Sequence, residues 1–195
     1  MLPPETSEIS PLRVDFLPDN VLNLPGKIGI TIAPGKKGTG LNVVWNRDLN
    51  QDLAHLRQHY GTSVLVCLME QQELSLLEIP DLLTQSQLQG MQTDWFPIPD
   101  LSTPASMDDF MALVQRIVQA VRDQQTVVIC CRGGLGRTGL VAACCLVLLG
   151  EAPEKAIVTV RQVRTGAIET KIQQQYIVRL FRAVNSAARQ TQQSS

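Results

Sequence analysis

Cys131 and Arg137 are separated by five residues in the run CRGGLGRTG, and Thr138 directly follows the arginine. A thiol, a guanidinium and a glycine-rich turn at this spacing suit a tetrahedral oxyanion such as a phosphate. Gly133, Gly134 and Gly136 lack a Cβ, so the backbone can curl and turn its N–H groups inward. A ring of amides completed by a helix N-terminus attracts a dianion. The candidate phosphate-binding set is therefore Arg132, Gly133, Gly134, Leu135, Gly136 and Arg137. The planar fork of Arg137 can hold two oxygens at once. Cys131 would point its sulfur into the same cup. A free thiol titrates near about 8.5, and a helix N-terminus with nearby positive charge favours the thiolate, which can attack phosphorus. The Thr138 hydroxyl is expected to hydrogen-bond that sulfur and help it leave in a second step.

The elements that must hold these groups lie on either side. Thr126 to Cys130 reads as a buried β-branched strand, and the apolar run Leu140–Leu149 reads as a helix. A second motif overlaps the first: Gly134 to Gly139 also fits the dinucleotide pattern G-x-G-x-x-G. That pattern requires an acidic residue at the end of a second strand about 20 residues on. Here Glu151 and Glu154 flank Pro153 at a helix start. A Walker loop would need lysine before the hydroxyl residue, where this chain has Arg137.

The run CRGGLGRTG resembles the Cys-x5-Arg-Ser/Thr signature of protein tyrosine and dual-specificity phosphatases, in particular the kinase-associated phosphatase (cyclin-dependent kinase inhibitor 3-like) group. LPGKIGITIAPGKK (24–37), RDLNQDLAHLRQHYG (47–61), VLVCL (64–68), FPIPDLSTP (96–104) and TGAIET (165–170) look like family segments in the right order. The resemblance covers residues 24–182. It implies a cysteine-dependent phosphoprotein phosphatase with no cofactor and no metal, and a phosphorylated protein, a kinase among the candidates, as partner. Relatives usually have histidine before the nucleophile, where this chain has Cys130. In such phosphatases a cysteine at the place of Cys67 can lie behind the catalytic one, which raises a Cys67–Cys131 or a vicinal Cys130–Cys131 disulfide as candidates.

Cleaving a phosphate ester leaves an alkoxide or phenoxide that needs a proton. The segment Pro97–Ser106 carries Pro97, Pro99 and Pro104, and a long proline-rich loop in a compact domain is often functional. FPIPD resembles the family's acid loop and puts Asp100 at the acid position. Asp94, Asp108 and Asp109 are the competitors, with Ser106 and Asp109 loosely fitting a capping box. Glu169 stands where relatives often have a glutamine that orients water. Gln173 and Gln174 are nearby, and the sequence marks none of the three as catalytic.

The bulk properties narrow the alternatives. A net charge of −1 argues against nucleic acid or an acidic membrane surface as the main partner. No apolar run approaches transmembrane length, and the start MLPPETSEIS has no basic segment followed by an apolar core. The five cysteines lack disulfide-framework spacing, which fits a reducing cytoplasm. His55 and His59 have metal-ligand spacing but lie off the apolar face of their helix, with no third ligand in sequence.

Strand-like and helical runs alternate, so the expected fold is α/β: a central, mostly parallel sheet flanked by helices, with the site at the strand carboxyl ends. The expected organisation is an extended lead-in over 1–23 with an edge strand near Arg13–Leu17, one phosphatase domain over 24–189, and a polar tail over 190–195, as a monomer. Lys27–Ile32 reads as a strand, and Lys36 and Lys37 follow in a glycine-rich loop, which reads better as a solvated loop than as a means of attracting an anionic substrate. A helix follows from Asp48 to Tyr60, then a strand at Ser63–Leu68. Glu70–Gly90 reads as a loop and one short helix turning Leu82, Leu83 and Leu88 inward, and Asp94–Pro97 as a short strand. The alternatives are a catalytically weak phosphate-binding module and a phosphoinositide phosphatase, whose loops tend to carry lysines.

Overall fold

The computed structural model describes residues 3–40 and 43–193, with side chains through 186. Its centre is a five-stranded sheet in the order β1-β2-β7-β5-β6, with β1 Asp15–Phe16, β2 Lys27–Ile32, β5 Thr62–Cys67, β6 Gln92–Trp95 and β7 Thr126–Cys131. Only the edge strand β1 runs antiparallel; β2, β7, β5 and β6 are parallel to their neighbours. The central strands are apolar throughout because both faces are covered; Val127, Val128, Ile129 and Cys130 of β7 are fully buried.

The strand order dictates where the helices go. The connections from β2 to β5 through α2 (Leu49–Gln58), and from β5 to β6 through α3 (Gln71–Leu76) and α4 (Leu82–Leu88), progress in one direction across the sheet. The connection from β6 back to β7 through α5 (Met107–Arg122) reverses it. Right-handed crossovers therefore put α2 and α4 on one face and α5 on the other. α6 (Gly136–Leu148) packs on α5, α7 (Pro153–Val163) and α8 (Lys171–Gln193). It is buried from Gly136 through Val147, so Cys144 and Cys145 are packing residues, and burial pushes both thiols up.

Residues 3–23 are built into the body. Leu12, Leu17 and Leu22 join the core, α1 (Asp19–Leu22) follows β1, and Glu5 bridges to Trp45. Residues beyond Gly35 are not a solvated loop. Lys37–Thr39 (β3) and Val44–Asn46 (β4) form a hairpin, and Lys36 is only 7 % exposed. The Glu70–Gly90 segment holds two helices rather than one, and Leu88 is exposed while Leu82 is buried. α8 continues through most of the expected polar tail, to Gln193. His55 and His59 stack at 4.6 Å beside Tyr60. No described helix is long and apolar enough to cross a membrane.

Candidate active site

β7 delivers the site. It runs one residue further than its apolar pattern suggests, so Cys131 ends the strand in register with Ile32 of β2. The chain then turns through Arg132 to Leu135 and enters α6 at Gly136. Gly134 makes this turn possible. Its φ is +63°, and a Cβ there would lie within 2.5 Å of the Thr31 carbonyl. The Gly134 N–H donates to Cys131 Sγ at 3.2 Å, so the thiol faces the loop's interior. Gly133 and Arg132 form the exposed rim, while Gly134 and Gly136 are buried.

Arg137 lies one residue inside α6, with only 1 % of its surface exposed. Nη1 and Nη2 meet Glu73 Oε2 and Oε1 at 2.6 and 2.8 Å. Nη1 also donates to the carbonyl of Ile98 at 2.9 Å. Burial alone would pull this arginine down, but its bonds to Glu73 and the charges of Cys131, Glu73 and Asp100 push it up, so it stays a cation. Burial likewise pushes the Glu73 carboxyl up, and the Arg137 and Glu70 hydrogen bonds outweigh it, leaving Glu73 below the usual carboxylate range. Glu73 also closes a capping box with Glu70 at the start of α3. The carboxylate grips the Nη1–Nη2 edge of the guanidinium, which leaves the Nε–Nη2 edge for another oxyanion.

Asp100 lies beside the same guanidinium. Its Oδ1 is 3.0 Å from Arg137 Nη2, and its side chain is 49 % exposed. Buried Ile98 anchors the loop through its N–H to the Leu68 carbonyl, and Leu101, at φ +56°, turns the chain just past the acid. The competing aspartates go elsewhere. Asp94 pairs with Arg116, and Asp109 receives the Ser106 cap at the start of α5. The loop is held from a third side by Gln173, whose Nε2 donates to the Ser102 carbonyl at 3.2 Å. Gln173 is fully buried, and together with Glu169 it occupies the space a Cβ on Gly136 would fill.

Two expectations change at this level. Thr138 Oγ1 is buried without a hydrogen-bond partner, so the expected bond to the Cys131 sulfur is not made; the sulfur takes the Gly134 amide instead. Cys67 faces Cys130 rather than Cys131, because the two are register partners on β5 and β7. All five cysteines are free thiols. A hydrogen bond to Cys130 favours the Cys67 thiolate, and the same bond with burial pushes the Cys130 thiol up.

A family model described as Cyclin-dependent kinase inhibitor 3 (CDKN3) matches residues 3–157. The chain belongs to this family. Curated family members agree. The Cyclin-dependent kinase inhibitor 3 of Rattus norvegicus is 31 % identical over 177 residues, covering 89 % of this chain and 81 % of the relative. That of Homo sapiens is 30 % identical over the same shares. Among solved structures, kinase associated phosphatase (KAP), crystallised with its catalytic site cysteine substituted by serine, superposes with a TM-score of 0.77 at 29 % identity, covering 86 % of this chain and 93 % of that one. Tk-PTP in its active form gives 0.68 at 25 %, over 87 % and 96 % of the two chains. PTPMT1 in complex with PI(5)P gives 0.68 at 15 %, over 83 % and 94 %, a likeness of fold alone. This CDKN3-family chain is thus a cysteine-dependent protein phosphatase of the tyrosine and dual-specificity class.

Sequence reasoning did not find Glu73. Its signal is its position three residues after Glu70, which reads as a cap; the second role depends on a partner far away in sequence.

Proposed function

We propose that the protein removes phosphate from phosphotyrosine, and from phosphoserine or phosphothreonine, in two displacements. In the first, the Cys131 thiolate attacks phosphorus, the ester P–O bond breaks, and Asp100 in its acid form gives its proton to the departing oxygen. In the second, the Asp100 carboxylate takes a proton from water, the water oxygen attacks the phosphocysteine, and the P–S bond breaks to return the thiolate and release phosphate. Arg137 holds two phosphoryl oxygens throughout, and the amides from Arg132 to Gly136 hold the others. Thr138, the residue after the arginine, assists the departing sulfur once its hydroxyl turns to it.

The observation that carries this reading is the shared address of three groups. The guanidinium of Arg137, pinned by Glu73, meets Asp100 within 3.0 Å, while the Cys131 thiol takes an amide of the same loop. The names of the relatives, a kinase inhibitor and a kinase associated phosphatase, support a phosphorylated kinase as substrate. Free thiols suit a reducing cytoplasm, and we take the working unit to be a monomer organised around a single domain.

The test is hydrolysis of an aryl phosphate in EDTA. Native protein turns over, Cys131→Ser does not, and Asp100→Asn loses about 10²- to 10⁴-fold in kcat. Normal turnover by Cys131→Ser, or a strict metal requirement, overturns the mechanism. Comparing phosphopeptides with phosphoinositide vesicles separates the protein phosphatase from a lipid phosphatase. A trapped Cys131→Ser complex alongside an inactive native protein would indicate a phosphate reader.

A further inference from the structure

Lys36 is buried in a setting that does not suit an isolated ammonium. It is 7 % exposed, and among the described residues no carboxylate lies within ion-pair distance of it. Its Nζ donates to the carbonyl of Arg132 at 3.0 Å, across 96 positions of sequence, and sits 4.4 Å from the centre of the Trp45 ring. The ring face and one carbonyl offset part of the cost of burying the charge.

The backbone around Lys36 is fixed from both sides. The Gly35 N–H donates to Asp52 at 2.8 Å, and Asp52 is itself held in a buried two-bond pair with Arg47. The Arg47 N–H donates to the Lys36 carbonyl, and the Lys37 N–H to that of Leu77. An aim set by this many contacts points at one feature, the first peptide of the phosphate loop.

The charges around Lys36 are nearly all of its own sign. Arg132 comes from the loop, Arg47 from the β4–α2 connection and Arg164 from the end of α7. Arg47 is matched by Asp52 and Arg164 by Asp15, while Lys37 turns out to Glu78. Burial and these arginines bring Lys36 down to about 8; the one neighbour that favours its charge is Cys131.

We propose that Lys36 is a positioning residue of the phosphate loop, holding the Arg132 carbonyl in place while its charge balances the negative charge, thiolate or phosphoryl, that the cradle carries in turnover. The proposal rests on the reading of Cys131 as nucleophile and deepens it. Charge on Lys36 and charge in the cradle favour each other, so each is completed by the other's arrival. Because ammonium and bound anion stabilise one another, anion affinity is full below the free-protein value of Lys36, about 8, and falls as pH rises through it.

Tungstate, a dianion across the range, tests this in the full chain carrying Cys131→Ser, which removes the nucleophilic thiol. Binding is followed from pH 6 to 10 by calorimetry. Affinity falls as pH rises, from a lower pH than the native value of about 8 because the favourable charge of Cys131 is gone; with Lys36→Arg added, the fall disappears. With Lys36→Met, affinity at pH 7 drops about ten-fold, the equivalent of one unit in the lysine, with a thermal melt confirming the fold. In the otherwise native protein, iodoacetamide modification of Cys131 at pH 6.5 slows several-fold in Lys36→Met and recovers in Lys36→Arg. A readout free of substitutions at Lys36 is its Nζ signal by NMR, whose midpoint rises when tungstate binds. An unchanged alkaline fall in the arginine variant, or a lysine midpoint indifferent to tungstate, overturns the proposal. Turnover by Cys131→Ser would instead overturn the nucleophile assignment.

Discussion

Asp100 Oδ1 lies 3.0 Å from Arg137 Nη2, the nitrogen shared by the edge that Glu73 holds and the edge it leaves open. That edge is also where a phosphoryl group would be clamped. The carboxylate therefore occupies a place the substrate's oxygens need, and the exposed loop carrying it must yield as they arrive. The displacement serves the proposed chemistry. Displaced from the arginine, the carboxyl is free to turn to the departing ester oxygen, to which it gives its proton.

This relationship predicts a dissociation between turnover and anion affinity. Asp100→Asn keeps the side chain's shape but removes a negative charge from the mouth of the site. Turnover of an aryl phosphate falls steeply, while competitive inhibition by vanadate stays equal or becomes several-fold tighter. Weaker vanadate binding would mean that Asp100 positions Arg137 rather than yielding to the ligand.

Glu73 sets the other edge. Glu73→Gln leaves a buried guanidinium without its ionic partner, and breaking such a pair costs about 3 kcal/mol. The fork also loses its fixed orientation, and misplacement on the scale of 1 Å can cost about 10²-fold in rate. The pH dependence has a definite sign. Because the folded protein holds Glu73 below its ordinary value, its contribution is complete above the unfolded value of about 4.3 and is lost as pH falls through the lower folded value. Thermal melting between pH 6 and 3 should show an acid decline in the native protein that is shallower in Glu73→Gln.

What the sequence made legible, and what it did not, divides along the distance between partners. Cys131, the glycine turn and Arg137 are neighbours in the chain, so their types and spacing announce the chemistry before any fold is known. Glu73 reaches Arg137 across 64 positions, and a capping box already explains its presence locally. Lys36 was expected in solvent because glycine and lysine in a row look like a loop. The β3–β4 hairpin and Trp45 cover it, and strands as short as three residues carry no readable alternation. In α4, seven residues are too few for periodicity to choose a face, so the exposure of Leu88 was not legible. The strand order was legible only as a class, since alternation of elements says parallel sheet but not which strand takes the centre.

Gly134 offers a test of the loop itself. A methyl group there would strike the Thr31 carbonyl carbon and oxygen of β2, which are backbone atoms and cannot step aside, and the φ of +63° adds strain for any side chain. Gly134→Ala is expected to lower stability by about 1–3 kcal/mol and to abolish measurable turnover, because the amide that faces Cys131 Sγ must move. At Gly133, where nothing lies within reach of a Cβ, alanine is expected to leave the melting temperature unchanged. Equal melting curves for the two variants would show that the loop is not pressed against β2.

Gln173 ties the acid loop to α8, and its two substitutions should differ. Its amide donates to the Ser102 carbonyl while its Oε1 accepts from the Thr170 N–H at 3.3 Å. Gln173→Ala releases the loop at Ser102 but leaves the hold of Arg137 on Ile98, so the acid remains near the cradle with less order. A loss of about ten-fold in kcat with little change in KM is expected, since the loop's contribution is to place a proton rather than to bind phosphate. Gln173→Glu is more damaging. It exchanges the donor for an acceptor facing the Ser102 carbonyl, and it adds a negative charge next to Glu169 where both side chains crowd Gly136. At low pH, protonation of the introduced carboxyl restores a donor, so the Glu variant should regain activity relative to native protein as pH falls from 7 to 5.5. An activity ratio flat with pH would show that the bond to Ser102 does not govern the loop.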